Sequence, residues 1–253
     1  MDINEVTGKE INRHPWELSR TQCMIREWLP VIRSLGEQCD FIDVGAGDMY
    51  FDKCLQKDVP GHVLHAVDIG YRTDKGELVK SDSGIIRMYG DIDELGNLRA
   101  DYALMLDSIE YIPEEVPFLR ELSSHVKNGG YLFFSMVAFQ SLFSQHDVIV
   151  KLLRRYNRKE FRSIIEEVGG LSVVREHYFF FSLFLVRATQ KFLHLMIDPD
   201  HKVTTGWKYG EKSFMTRFVT GVLKLDYAIG RGLSRIGIHL PGLSLMVVCR
   251  KAG

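Results

Sequence analysis

The stretch FIDVGAGDMYFDKC, Phe41 to Cys54, constrains the fold more than any other part of the chain. An apolar run that ends in an acid and passes into Gly-Ala-Gly reads as a buried strand turning a tight corner into a loop. Corners of this kind belong to α/β sheets, whose parallel strands are covered on both faces and so read as near-continuous apolar runs.

The middle of the chain repeats the theme. CDFIDVG, HVLHAVDI, GIIRMYGDI, DYALMLDS and YLFFSMVAF read as five successive strands separated by helices or loops. After the fourth, Pro113, Glu114 and Glu115 open a helix, VPFLRELSSHVKNGG, and Gly129 and Gly130 supply a turn into the fifth strand. A second helix, NRKEFRSIIEEVGG, takes Asn157 as its cap and lines Phe161, Ile164, Ile165 and Val168 along one face. LSVVREHYFF and LSLMVVCRK read as further strands, and FMTRFVTGVLKLDYAIGRGLSRIG as a long amphipathic helix. DPDHKVTTGWKYGEKS carries the turn residues of a surface loop, and HPWELSRTQCMIREWLPVIRSL reads as one or two helices ahead of the sheet. The expectation is one domain: a helical N-terminal segment (1–37), a core (38–180), and C-terminal helices with a closing strand (181–253). The two flanks are the expected lid.

Bulk properties exclude several classes. With 253 residues and 45% hydrophobic content the chain builds a real core, and 32 basic against 33 acidic residues give no nucleic-acid footprint. Cys23, Cys39, Cys54 and Cys249 have no C-x-x-C spacing, which fits reduced packing thiols and no metal site. The first twenty residues carry charges throughout and lack the apolar core of a signal peptide, so a cytoplasmic location is expected. The most apolar window, Tyr178 to Ile197, is interrupted by Arg187, Lys191 and His194, short of the roughly 18 to 20 clean residues of a transmembrane helix. It reads as buried or interfacial, and peripheral membrane contact stays open.

The corner's ligand can be argued from its side chains. A pyrophosphate wants a third glycine for close helix packing, and Tyr50 stands there instead. A ligand with an amino-acid tail and a ribose asks only that Gly45 and Gly47 leave room. Asp68, closing the second strand, is placed to accept from both ribose hydroxyls. Asp91 and Ile92, after the third strand, suit an exocyclic amine and an adenine face.

With FIDVGAGD, HAVDIG, YGDIDEL, LDSIEYIPE and VKNGGYLFFSMVAF in this order, the chain resembles the class I S-adenosylmethionine-dependent methyltransferases of the type 11 and type 12 group, over roughly Asp40 to Phe139. SQHDVIVKLLRRYNRKEFRSIIEEVGG and HPWELSR are similar to segments of small-molecule members. The resemblance implies an α/β Rossmann-like sheet of about seven strands flanked by helices, with helical additions at both ends. It also implies S-adenosylmethionine as cofactor, held by Asp43, Gly45, Ala46, Gly47, Asp68, Ile69, Asp91, Ile92 and Asp107. Two positions depart from the pattern: Met49 stands where a third glycine is common, and Tyr111 replaces a histidine.

Roles beyond the loop stay paired with simpler ones. Asp43 orients the loop, receives the cofactor's ammonium, or caps the turn. Asp107 reaches the carboxyl edge or caps its loop, and Glu110 satisfies amides. His146, beside Asp147, is the first candidate for a general base; Tyr111 and Tyr178 come after it. Arg154, Arg155 and Tyr156 hold an anionic acceptor or form a solvated face. The implied reaction is O- or C-methylation of a small aromatic, polyketide-like, lipid-like or carrier-bound acceptor; the alternative is an inactive cofactor-binding or scaffold protein.

Overall fold

The computed structural model describes residues 13–71, 77–81, 84–197 and 210–253. One sheet organises them, with β1 (Asp40–Val44), β2 (Val63–Val67), β3 (Glu77–Ser81), β4 (Gly84–Tyr89), β5 (Ala100–Leu106), β6 (Val126–Val137), β7 (Leu171–Phe179) and β8 (Ser244–Lys251) in the order β3-β4-β2-β1-β5-β6-β8-β7. Five central strands run parallel, and β8 is antiparallel between β6 and β7. Seven of the eight match the expected sheet. The eighth, β3, pairs antiparallel with β4 at the edge and was not foreseen.

Strand alternation splits the core in two. Ile42 and Val44 of β1 face one layer with Met105, Phe134 and Val247. That layer is closed by α3 (Glu115–Ser124) and α5 (Arg158–Val168). Phe41 faces the other, where its ring stacks on Tyr102 at 5.0 Å and Trp28 packs on Phe133 at 5.0 Å. The second layer is covered by α1 (Pro15–Arg33), α2 (Tyr50–Asp58) and α7 (Phe214–Arg235). Short α4 (Gln145–Ile149) and long α6 (Phe181–Ile197) complete the helices.

Local signals hold where chemistry specifies them. Asn157 caps α5 in a reciprocal box with Glu160, accepting from its amide at 3.0 Å while Glu160 accepts from the Asn157 amide at 2.9 Å. The N-terminal segment forms one helix, Pro30 included. The α3 helix stops at Ser124, earlier than expected, and Val126 already pairs with Ala100. Gly129 and Gly130 therefore lie inside β6, where the register jumps between Ala100 and Tyr102. A Cβ on Gly130 would come within 2.5 Å of the Asp101 carbonyl, so the irregularity needs glycine there. Most of the surface loop expected over Asp198 to Ser213 lies outside the described residues, as does the start of the N-terminal segment.

Candidate cofactor and acceptor site

The chain leaves β1 for β2 on one side and later returns to β5 on the other, so a crevice opens at the carboxyl ends of β1 and β5. The glycine corner forms its floor. Gly45 (φ +78°) and Gly47 (φ +54°) both take left-handed conformations, and Met49 does so at +57°. A Cβ on Gly45 would sit 2.5 Å from Ser108 Cβ, which is how closely the corner and the β5 loop approach. Ser108 Oγ donates to the Val44 carbonyl at 2.7 Å and locks that approach.

Asp68 sits beside the corner. Its Oδ2 accepts from the Gly47 amide at 2.9 Å and its Oδ1 from the Gly70 amide at 2.8 Å. Each carboxylate oxygen keeps a second lone pair for a ligand hydroxyl. Ile69, next along, is 94% exposed, an apolar side chain left bare at the mouth of the crevice. Asp91 starts a 3₁₀ turn (Ile92–Leu95), accepting from Asp93 N at 3.0 Å, and Ile92 is buried below it. Ala46 is buried within the corner.

Asp43 points away from this group, under the loop. It is 2% exposed and lies against Asp52 of α2, itself 1% exposed. No other donor among the described residues reaches Asp43 Oδ1 or either Asp52 oxygen. Burial, then the partner's charge, raises Asp43 well above the carboxylate range, and burial pushes Asp52 up to about 7. Burial thus favours the protonated form at this pair.

Three residues that sequence reasoning did not assign complete the crevice. Tyr71, buried, donates its hydroxyl to the Gly47 carbonyl at 2.7 Å. Just ahead of α1, Arg13 pairs with Asp48 and Glu17 and lies 3.7 Å over the Tyr50 ring. Within α1, Arg20 pairs with Asp107 and stacks on Trp16 at 4.2 Å. Burial pushes Arg20 down to about 10, against the pull of Glu17 and Glu110. The N-terminal flank thus lies across the carboxyl edge, on acids of the loops that follow β1 and β5. A spacing of seven between two arginines around HPWELSR was the available signal.

The proposed bases have different fates. His146 is exposed on α4, while its neighbour Asp147 turns inward to Arg155 at 2.7 Å and 3.2 Å. Burial raises the Asp147 carboxyl, but the Arg155 bonds and charge and the Ser144 amide outweigh it and hold the group below its usual range. Tyr178 accepts from the Arg158 amide at 3.0 Å and stacks on Phe139 at 4.8 Å, so its hydroxyl caps α5. Tyr111, 42% exposed, comes after Asp107 and Ser108 on the crevice's own loop. Glu110 is fully buried and accepts from the Val137 amide at 2.6 Å, as an amide-satisfying role requires. Its Oε2 has no partner among the described residues, and burial pushes the group up to about 7. Arg154 pairs with Glu115, and Tyr156 is buried against Phe161.

Solved structures share this architecture. A proposed sarcosine dimethylglycine methyltransferase from Galdieria sulphuraria aligns over 92% of this chain and 86% of its own, with a TM-score of 0.55 at 17% identity. A cyclopropane-fatty-acyl-phospholipid synthase-like protein from Lactobacillus casei aligns over 98% and 97%, with a TM-score of 0.53 at 11% identity. A phosphoethanolamine N-methyltransferase of Haemonchus contortus, solved with S-adenosyl-L-methionine, aligns over 90% and 53%, with a TM-score of 0.50 at 14% identity. The chain has the class I methyltransferase fold. No family sequence model matches it, and no curated protein sequence does. Of the cofactor candidates, Gly45, Ala46, Gly47, Asp68 and Ile69 gather at the glycine corner, Asp91 and Ile92 follow β4, Asp107 follows β5, and Asp43 is buried beneath the loop. Among the described residues no helix is long and apolar enough to cross a membrane.

Proposed function

We propose that the chain is an S-adenosylmethionine-dependent methyltransferase acting on a small-molecule acceptor within the cytoplasm. The observation that carries this is the juxtaposition of the glycine corner with Asp68 and Ile69: the Gly47 amide is fixed to Asp68 Oδ2 at 2.9 Å, beside a bare apolar side chain. A carboxylate with spare lone pairs next to an uncovered aliphatic surface suits a ribose carrying an adenine. Gly45 and Gly47 leave the corner free of side chains for an amino-acid tail.

The cofactor, when bound, supplies an electrophilic methyl group on a sulfonium. The chain's own work is to bind, align and exclude water. In this reading Asp68 holds the ribose, Ile69 and Asp91 border the adenine, and Met49 narrows the space for the tail. Asp43 acts through its buried contact with Asp52, keeping the end of β1 in place under the loop. Arg13 and Arg20 draw α1 across the opening and screen Asp48 and Asp107 from water. Tyr111, on the loop after β5, is the side chain best placed to meet an acceptor.

Thermal unfolding with S-adenosylmethionine, S-adenosylhomocysteine and NAD added separately tests the reading. A ligand at 100 times its dissociation constant stabilises by about 2.7 kcal/mol, a shift of several degrees at this size. Shifts with the two sulfur compounds alone support it; none, or one with NAD only, sinks it. Binding without turnover across an acceptor panel would instead favour the non-catalytic alternative.

A further inference from the structure

Helix α7 is two-faced in a way that packing does not explain. Thr216, Thr220 and Leu223 are buried, and Tyr227 and Arg231 reach Glu27 of α1 at 3.0 Å and 2.6 Å. The opposite face carries Phe214, Phe218, Val222, Leu225 and Ile229, a helical series whose members are 81%, 58%, 45%, 61% and 53% exposed. Arg217, Lys224 and Arg235, seven and eleven residues apart, form one exposed row along its flank. None of the three makes an ion pair among the described residues. The only acid of α7, Asp226, is turned inward and accepts from Ser182.

Helix α6 adds a second strip. Leu185, Val186, Phe192 and Leu193 are exposed on one side. On the other, Arg187 donates to Ser144 Oγ at 2.8 Å and Lys191 to the Phe143 carbonyl at 3.1 Å. Those partners lie just beyond the carboxyl end of β6, so α6 is fastened at the edge of the sheet where the crevice opens.

We propose that α6 and α7 seat this protein on an anionic lipid bilayer, with the apolar strips in the headgroup boundary and Arg217, Lys224 and Arg235 on lipid phosphates. An apolar face bordered by free cations is what such a surface selects, and it distinguishes a charged membrane from a second copy, whose like-charged row would repel. Long basic side chains extend from an apolar stripe to the headgroups without leaving the helix surface. The geometry also assigns an acceptor class, a lipid-soluble molecule delivered from the bilayer; that part rests on the methyl-transfer reading above.

The test is co-sedimentation of the full chain with vesicles of phosphatidylcholine alone or mixed equally with phosphatidylglycerol, without cofactor. Binding is expected only to the mixed vesicles and is expected to weaken with salt. Each basic residue near an anionic surface is worth about fivefold in partitioning, so joint substitution Arg217→Gln, Lys224→Gln and Arg235→Gln should weaken binding about a hundredfold. Phe218→Ser with Leu225→Ser should abolish it while the melting temperature and circular dichroism stay unchanged. Absence of binding by folded wild type overturns the proposal, as does binding that neither variant alters. So does a dimer in light scattering that Leu225→Glu converts to monomer, which would give the face to a second copy. The cofactor shift is a separate measurement, so loss of one reading is told apart from loss of the other.

Discussion

The Gly47 amide donates to Asp68 Oδ2 across 2.9 Å, joining the loop after β1 to the residue that ends β2. Floor and wall of the crevice are thus one hydrogen-bonded unit. Asp68→Asn keeps one acceptor oxygen for two amides and offers a ligand an amide where a carboxylate stood. The expected result is a Kd for S-adenosylmethionine at least tenfold weaker in calorimetry, the loss of one charge-assisted bond, with melting shifted by only a few degrees.

Gly45→Ala and Met49→Gly should differ sharply. The alanine meets Ser108 Cβ at 2.5 Å and must adopt φ near +78°, so destabilisation of about 2 kcal/mol or more is expected. At Met49 the left-handed strain of about 1–2 kcal/mol is relieved by glycine, offset by glycine's chain entropy. Denaturant unfolding should place Met49→Gly within about 1 kcal/mol of wild type.

The Asp43 and Asp52 pair sets a pH dependence. Their folded pKa values are raised above the unfolded value of 3.8, so the folded state binds the extra proton. The stability they leave intact is full below 3.8 and declines as pH rises through the folded pKa, about 7 for Asp52. Asp52→Asn should flatten that decline in melting curves taken from about pH 4 to 9. An unchanged slope would rule out the shared proton.

At the other flank Glu27 gathers Arg175, Arg231 and Tyr227, and Tyr227 lies 3.4 Å from buried His177. Burial pushes His177 down to about 4, so it folds neutral, and stability falls as pH drops from 6.5 towards 4. Glu27→Ala leaves the Arg231 guanidinium without its carboxylate and should cost about 2 kcal/mol. Limited proteolysis should then cut first in α7.

One pair of variants separates the base candidates. Removing a general base costs about 100-fold or more. With an acceptor in hand, Tyr111→Phe should lower kcat on that scale if its hydroxyl takes the proton, while exposed His146→Ala should stay within about threefold. The reverse result would return His146 to the site.

The sheet was legible because its central strands are apolar runs with punctuated ends, and Asn157 because capping is local chemistry. The β3 strand was not, since ELVKS is a short run whose charged residues interrupt any apolar pattern, and its pairing with β4 is supplied by the sheet edge. Gly129 and Gly130 misled because glycines that end a helix and glycines that break a strand's register look alike until the neighbouring Asp101 carbonyl is placed. The His146 and Asp147 pair suggested chemistry, yet adjacent helical residues point about a hundred degrees apart, and Asp147 went to Arg155. Tyr71 was invisible because its partner, the Gly47 carbonyl, is supplied by tertiary structure alone, and the spacing of Arg13 and Arg20 named no partner until Asp48 and Asp107 were placed.

Phe179, the last residue of β7, stands in register with Ser244, the first of β8. Between them the chain leaves the sheet into α6 and comes back from α7 to the same point. A short hairpin turn could close that gap, and the closure entropy of a long excursion grows only with the logarithm of its length. The helices are therefore an insertion between two strands that already meet, so α6 and the outer face of α7 can change without moving the strand register, whereas Leu223 and the Glu27 contacts hold α7 to the second core layer.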